Sequence, residues 1–221
     1  MLFVDGENFT KLGQEALKAE GMSLRTGPAW KRDIFLWLPG RTARQAFFAP
    51  AGLEGGNDAP PAVRSYLYTS MPTGEPGWTE TRLALRGLGF EPKLFPRRQG
   101  RSKAVDIALT TDVLTLGVNQ RYEVAVLLAG DGDYVPLVEA VKNLGLYVVV
   151  GFFSGSGLSP NLRIAADEYV DVTGTFKSIW TAHLKTAPTK PPTSTPVLGD
   201  AGGGVAEPAA EDAISPSADP G

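Results

Sequence analysis

Residues 124–141, VAVLLAGDGDYVPLVEAV, begin as an uninterrupted apolar run, pass through Gly-Asp-Gly-Asp and continue as a helical pattern. A second apolar run, residues 146–152, follows that helix. Strands that are apolar on both faces are typical of a parallel sheet covered by helices on each side. The sequence therefore predicts a doubly wound α/β fold, which is a Rossmann-like three-layer sandwich around a mainly parallel central sheet.

Strand and helix patterns alternate along the rest of the chain. Further strands are expected at 2–4, 63–68, 90–95 and 169–172, and helices at about 8–20, 79–88, 104–116, 134–144 and 158–165. Residues 21–60 are dense in Gly and Pro, and we interpret them as an irregular insertion. Within it, the apolar residues 33–38 could add a strand or a helix.

The C-terminal stretch differs in composition from the rest. Residues 186–221 are rich in Pro, Gly, Ala and Ser, and their one base and five acids give a net charge of −4. The whole chain carries −3, so the remainder, with 20 bases and 19 acids, is near neutral at +1. A segment so poor in large apolar residues cannot offset the entropy of ordering. We expect one folded domain over residues 1–185 and a disordered acidic tail over 186–221.

The chain contains no cysteine and a single histidine, His183, which we expect at the surface. Disulfides, thiolate zinc sites and cysteine nucleophiles are therefore excluded, together with most histidine-based chemistry. The sequence shows neither a signal peptide nor an apolar run long enough to span a bilayer. We expect a cytoplasmic protein that does not bind membranes.

Carboxylates follow two of the predicted strands and open one of the predicted helices. Asp5 follows the first strand, Asp131 and Asp133 follow the strand at 124–129, and Asp106 lies in the first turn of its helix. In an open parallel sheet, ligands bind in the crevice beyond the carboxyl ends of the strands. Carboxylates gathered there repel one another unless a cation lies between them, so we expect a divalent metal site.

Each polar residue also has an ordinary structural explanation. Asp5, Asn8 and Asp133 suit helix N-caps, and the helix dipole favours Asp106 in a first turn. Asp112 lies six residues after Asp106, which is about 240° around the helix. The two cannot both face the site centrally, so Asp112 is interpreted as a supporting acid.

A basic segment precedes Asp106. Its members are Arg97, Arg98, Arg101 and Lys103. Any one of them suits a solvated loop, but beside an acidic metal site the group could hold a phosphate backbone. Aromatic side chains near the strand ends could stack on bases; they are Tyr66, Tyr68, Trp78 and Tyr134.

Three segments carry a resemblance to a known family. They are FVDGEN at 3–8, KAVDIAL at 103–109 with Thr111 and Asp112, and LAGDGDYVPLV at 128–138. Together they resemble the NYN domain family, in its bacterial LabA-like branch, within the wider PIN-like nuclease group. The likeness covers about residues 1–173.

The resemblance implies a PIN-like parallel-sheet fold and RNA cleavage that depends on Mg²⁺ or Mn²⁺. Carried over by position, it implies that Asp5, Asp106, Asp131 and Asp133 bind the metal and are catalytic. Asn8 and Asp112 would support them. The chain departs from the family pattern at Ala129, where a serine is usual, and in the greater length of residues 21–60.

On this hypothesis water attacks an RNA phosphodiester and a 3′-hydroxyl leaves, so the product carries a 5′-phosphate. Three alternatives remain open. They are a non-catalytic RNA- or protein-binding regulatory module of the same fold, a phosphotransfer enzyme with Asp5 as nucleophile, and a nucleotide-sugar enzyme with a DxD motif at 131–133. The sequence also leaves open the RNA class, endo- or exonucleolytic cleavage, the number of metal ions, a homo-oligomeric state and a regulatory protein partner.

Overall fold

The structure, a computed structural model, describes residues 1–25, 27–47, 63–72, 77–97, 103–155 and 157–186. The strands are β1 (Leu2–Asp5), β2 (Trp30–Lys31), β3 (Phe35–Leu36), β4 (Ser65–Pro72), β5 (Glu91–Arg97), β6 (Val124–Leu128), β7 (Tyr147–Phe152) and β8 (Glu168–Asp171). The helices are α1 (Gly6–Ala19), α2 (Ala43–Phe47), α3 (Trp78–Gly87), α4 (Lys103–Val118), α5 (Val135–Asn143), α6 (Pro160–Ala165) and α7 (Thr173–Thr186), and a 3-10 turn at Gly132–Tyr134 precedes α5. None of the helices in these described ranges is both long and apolar enough to cross a membrane.

Six strands form one parallel sheet in the order β5-β4-β1-β6-β7-β8. From β1 the chain moves outward through β4 to β5, and it then returns to β6 and moves outward on the other side. The predicted doubly wound α/β sandwich is confirmed. The reversal places β1 beside β6, with Val4 paired to Leu128, so the crevice that favours ligands opens at the carboxyl ends of these two strands.

The two faces of the sheet are covered by separate apolar cores. Leu2 and Val4 pack on one face with residues of α1 and α7, whereas Phe3 packs on the other face with Val105 of α4 and Leu137 of α5. Side chains alternate along a strand. Asp5 therefore continues the Phe3 side and faces α4 and the start of α5.

The described part of the predicted insertion, residues 21–60, is ordered. Strands β2 and β3 pair antiparallel, with Trp30 opposite Leu36, and α2 follows them. Trp37 is completely buried, and its ring lies 4.7 Å from that of Phe90 between centroids. These residues extend the core on the α1 face. Residues 48–60 lie outside the described residues.

Helix α7 was not expected from the sequence. Its Phe176 and Trp180 are buried in the α1-side core, and Trp180 Nε1 donates a hydrogen bond of 3.1 Å to the carbonyl oxygen of Trp37. His183 lies on the exposed side of the same helix, as predicted. Apart from Thr186, the predicted tail lies outside the described residues.

Candidate active site

A buried tyrosine hydroxyl joins two of the predicted acids. Tyr134 Oη lies 3.1 Å from Oδ2 of Asp5 and 3.1 Å from Oδ1 of Asp106. Asp5 and Tyr134 are each only 3% exposed. A phenol carries one proton, so Tyr134 can donate to one carboxylate at a time while it contacts both. Two carboxylates from distant parts of the chain thus converge at the end of β1.

Asp5 reaches this position because it ends β1 and serves as the N-cap of α1. Its Oδ1 accepts a hydrogen bond of 3.0 Å from the backbone N–H of Asn8. The prediction that Asn8 caps this helix is therefore wrong. The side chain of Asn8 has a different task, since its Oδ1 accepts a 2.9 Å hydrogen bond from the N–H of Gly130. This bond ties the first turn of α1 to the loop that follows β6.

The electrostatics of the pair favour a positive partner. Burial, together with the negative charges of Asp106 and Glu7, raises the pKa of Asp5 to about 7. The hydrogen bonds from Asn8 and Tyr134 lower it only in part. Burial, followed by the charges of the two aspartates, also raises the pKa of Tyr134, which therefore stays protonated. A cation beside Asp5 would relieve the cost of its buried charge.

Glu7, in the same first turn of α1, adds to the excess of acceptors. One of its carboxylate oxygens, Oε1, is buried and accepts no hydrogen bond within the described part of the chain. Buried oxygens of this kind usually have a partner. The end of β1 is therefore rich in acceptor oxygens and poor in donors.

Asp131 and Asp133 lie on the loop that carries Tyr134. Asp131 caps the 3-10 turn, since its Oδ1 accepts a 3.1 Å hydrogen bond from the N–H of Asp133, and the side chain of Asp133 is exposed. Across the residues that the structure describes, no group of three or more acids or histidines is placed to hold one metal ion. The four predicted acids therefore divide into the pair Asp5 and Asp106 and two neighbours on the adjacent loop.

Asp112 belongs to a separate network. It accepts a 3.0 Å hydrogen bond from the hydroxyl of Tyr68, and its Oδ2 lies 2.9 Å from Nζ of Lys93. Six residues of helix carry it about 9 Å along the axis from Asp106. These contacts link α4 to β4 and β5, so Asp112 anchors the helix that presents Asp106. Tyr68 is fully buried, which rules it out as a stacking surface.

Of the predicted basic group, Arg97 and Lys103 fall within the described residues, while Arg98 and Arg101 lie outside them. Arg97 donates from Nε to the hydroxyl of Ser70 at 2.9 Å and from Nη2 to the carbonyl oxygens of Ser70 and Asp33. Its guanidinium therefore connects β5 to β4 and to the β2–β3 turn. Lys103 is exposed at the start of α4, one turn before Asp106. RNA binding by this group stays a prediction.

A cleft of about 410 Å³ opens on the α1 side of the loop after β6. It is lined by three segments: Asn8, Lys11 and Leu12 of α1, then Gly130, Asp131 and Gly132, and finally Gly157, Leu158 and Ser159 before α6. The sequence pointed to neither Lys11 nor Ser159. Lys11 lies one helical turn after Asn8, and that spacing is the only local signal that links it to the predicted site.

Comparison with known proteins agrees with this architecture. The fold is an α/β sandwich around a parallel sheet, and the chain belongs to the NYN domain family, whose model matches residues 1–173. NYN domains are part of the PIN-like nuclease superfamily and are usually nucleases, that is, hydrolases. The family prediction is confirmed, while the assignment to the LabA-like branch stays a prediction.

One of the solved structures that match this chain has a similar fold. It is the crystal structure of a protein of unknown function from Vibrio parahaemolyticus, with a TM-score of 0.53 and 23% sequence identity. The match covers 77% of this chain and 90% of that chain. At this identity the likeness concerns the fold alone. None of the curated proteins matches the chain.

Proposed function

We propose that this protein is a metal-dependent ribonuclease that hydrolyses RNA phosphodiester bonds at the carboxyl ends of β1 and β6. The observation that carries the proposal is the pair of buried Asp5 and half-buried Asp106, held on the single hydroxyl of Tyr134. A binding surface has no need to bury like charges side by side, because the cost of desolvation falls on the folded state. Membership of a family of nucleases supports the same conclusion.

The donor set of this pair fits Mg²⁺ or Mn²⁺. Mg²⁺ usually binds proteins through one or two carboxylates and completes its octahedron with water and substrate phosphate. Asp5 and Asp106 would hold the ion, which when bound supplies an acidified water and neutralises charge on the phosphate. We assign Asp131 and Asp133 to the same site as further acids, because their loop also carries Tyr134.

The remaining residues of the site have distinct tasks in this proposal. Tyr134 fixes the positions of the two carboxylates through its hydroxyl, and Asn8 links α1 to the loop after β6. Because burial raises the pKa of Asp5 to about 7, a proton must leave this carboxyl before it can bind a cation. Lys103, exposed one turn before Asp106, would contact the phosphate backbone of the RNA.

A non-catalytic module of the same fold, binding RNA or a regulatory protein, is the second candidate. It is favoured by one observation, namely that the described residues contain no group of three or more acids or histidines placed around a common metal position. Such a module would bind its partner without cleaving it, and its affinity would not depend on Asp106.

The deciding experiment uses labelled single-stranded and structured RNA with Mg²⁺, Mn²⁺ or EDTA. We expect cleavage by the parent with metal only, products with a 5′-phosphate, and a loss of about a hundredfold in Asp5→Asn and in Asp106→Asn. Glu139→Gln, at an exposed acid of α5, is the matched control and should cleave normally. Equal rates in the parent and Asp5→Asn would refute the assignment, and RNA binding without cleavage under every metal would favour the second candidate.

A further inference from the structure

The cleft of about 410 Å³ lies next to the carboxylate pair. Asn8 separates the two, because its N–H donates to Asp5 while its side chain lines the cleft. The volume falls within the range of about 300–1,000 Å³ that is usual for small-ligand sites. A group bound in the cleft would therefore be a direct neighbour of a group bound at Asp5 and Asp106.

The walls of the cleft are held in place by backbone contacts. Gly130 donates its N–H to Asn8 Oδ1 at 2.9 Å and accepts a 2.8 Å hydrogen bond from the N–H of Ser159 at its carbonyl oxygen. A methyl group on Gly130 would collide with the ring of Phe152, and one on Gly132 would lie 2.8 Å from Ser159 Oγ. The loops pack too closely for side chains at these positions, so both walls depend on glycine.

The cleft offers donors that the described part of the protein does not use. Lys11 is exposed and forms no ion pair with any described residue. Within the same ranges, neither the hydroxyl of Ser159 nor the amide nitrogen of Asn8 donates a hydrogen bond. Leu12 and Leu158 add apolar wall. Asp131 also lines the cleft, but Lys11 supplies the opposite charge and Ser159 and Asn8 supply two neutral donors, which together suit a phosphate. The apolar wall suits the sugar attached to that phosphate.

We propose that this cleft is a nucleotide subsite that holds the phosphate and ribose of the RNA residue next to the scissile bond. Lys11 contacts the phosphate, and Ser159 and Asn8 donate hydrogen bonds to it. The inference rests on the proposed ribonuclease function, since it places a second part of the same RNA strand. The RNA would then follow a path across the protein from Lys103, near Asp106, past the carboxylate pair to Lys11 on α1.

The test measures RNA binding apart from cleavage. The full chain in EDTA is titrated into a fluorescein-labelled single-stranded RNA hexanucleotide, and anisotropy is followed at several salt concentrations. Lys11→Gln should weaken binding about tenfold and reduce the slope of log K against log salt by about 0.7, the value for one phosphate contact on a single strand. Ser159→Ala should weaken binding about fivefold.

The matched control is Lys18→Gln. Lys18 is exposed on the same helix two turns after Lys11 and does not line the cleft, so its removal changes the charge of α1 by the same amount. We expect its affinity and salt slope to equal those of the parent. Equal binding by the Lys11 and Lys18 variants would overturn the subsite even where the parent cleaves RNA.

The failure of the subsite and the failure of the proposed function give different results. A parent that binds RNA through Lys11 but cleaves nothing with Mg²⁺ or Mn²⁺ refutes the ribonuclease, and the cleft is then an RNA-binding site without a scissile bond beside it. Where binding in EDTA is too weak to measure, KM for cleavage replaces it, and an unchanged KM in Lys11→Gln refutes the subsite. A parent that neither binds nor cleaves RNA refutes both.

Discussion

Replacing Asp5 by Asn should stabilise the metal-free fold at neutral pH. Asp5 is 3% exposed, and its burial raises its pKa to about 7. An Asn side chain can keep both hydrogen bonds, because its carbonyl accepts from the N–H of Asn8 and its amide donates to Tyr134 Oη. The hydroxyl proton of Tyr134 is then available to Asp106. The substitution removes the disfavoured charge and leaves the packing unchanged.

The magnitude follows from the two pKa values of Asp5. In the unfolded chain the pKa is 3.8, and in the folded protein it is about 7. Below 3.8 both states hold the proton; between the two values only the folded state holds it, so stability falls as pH rises, and above about 7 the loss is complete. Each pH unit in this window costs about 1.4 kcal/mol, which gives up to about 4 kcal/mol in total.

Urea unfolding in EDTA, between about pH 5 and about pH 8, measures this effect. The free energy of unfolding of Asp5→Asn should exceed that of the parent by an amount that grows by about 1.4 kcal/mol per pH unit and levels off above about pH 7. Asp133→Asn is the control, because Asp133 is exposed and its removal should leave the pH dependence of the parent unchanged.

Two results would contradict this reasoning. A constant difference between Asp5→Asn and the parent at every pH would mean that the charge of Asp5 is not buried at a cost. A loss of stability at about pH 8 would mean that the carboxylate is favoured where it lies, and the case for a cation beside it would weaken.

Two further predictions concern Tyr134 and α7. Tyr134→Phe removes the donor shared by Asp5 and Asp106, so the free energy of unfolding in EDTA should fall by about 2 kcal/mol at about pH 8 and by less at about pH 5, where Asp5 is protonated; equal losses at both pH values in urea unfolding would show that only packing was changed. Trp180→Ala leaves a cavity between α7 and Trp37, so the free energy of unfolding, measured by heat or urea, should fall by about 3–5 kcal/mol. The rate of RNA cleavage per folded molecule should not change. A cost near zero would show that α7 is not part of the folded core.

Local sequence patterns predicted the sheet and showed which of its edges carries the acids. Apolar runs at β6 and β7 indicate strands buried on both faces, and a parallel sheet puts all their carboxyl ends on one side. Asp5 and Asp131 could therefore be placed near one crevice without any tertiary information. Helix α7 could not be predicted in this way. Only its Phe176 and Trp180 are buried, which is a weak helical pattern, and the carbonyl that Trp180 contacts is 143 residues away in the sequence.

The arrangement within the crevice depended on the folded chain. Tyr134 was a candidate for base stacking in the sequence, yet its hydroxyl contacts Asp5 across 129 residues, and Asn8 contacts Gly130 across 122. Local propensity describes the backbone around each residue and carries no information on which donors and acceptors meet when β1 and β6 pair. The sequence alone therefore predicted that carboxylates follow the strands and gather at one edge of the sheet. The division into buried Asp5 with half-buried Asp106, two neighbouring acids and a nucleotide-sized cleft arose only when long-range packing excluded water from Asp5 and placed Lys11 and Ser159 in the wall of that cleft.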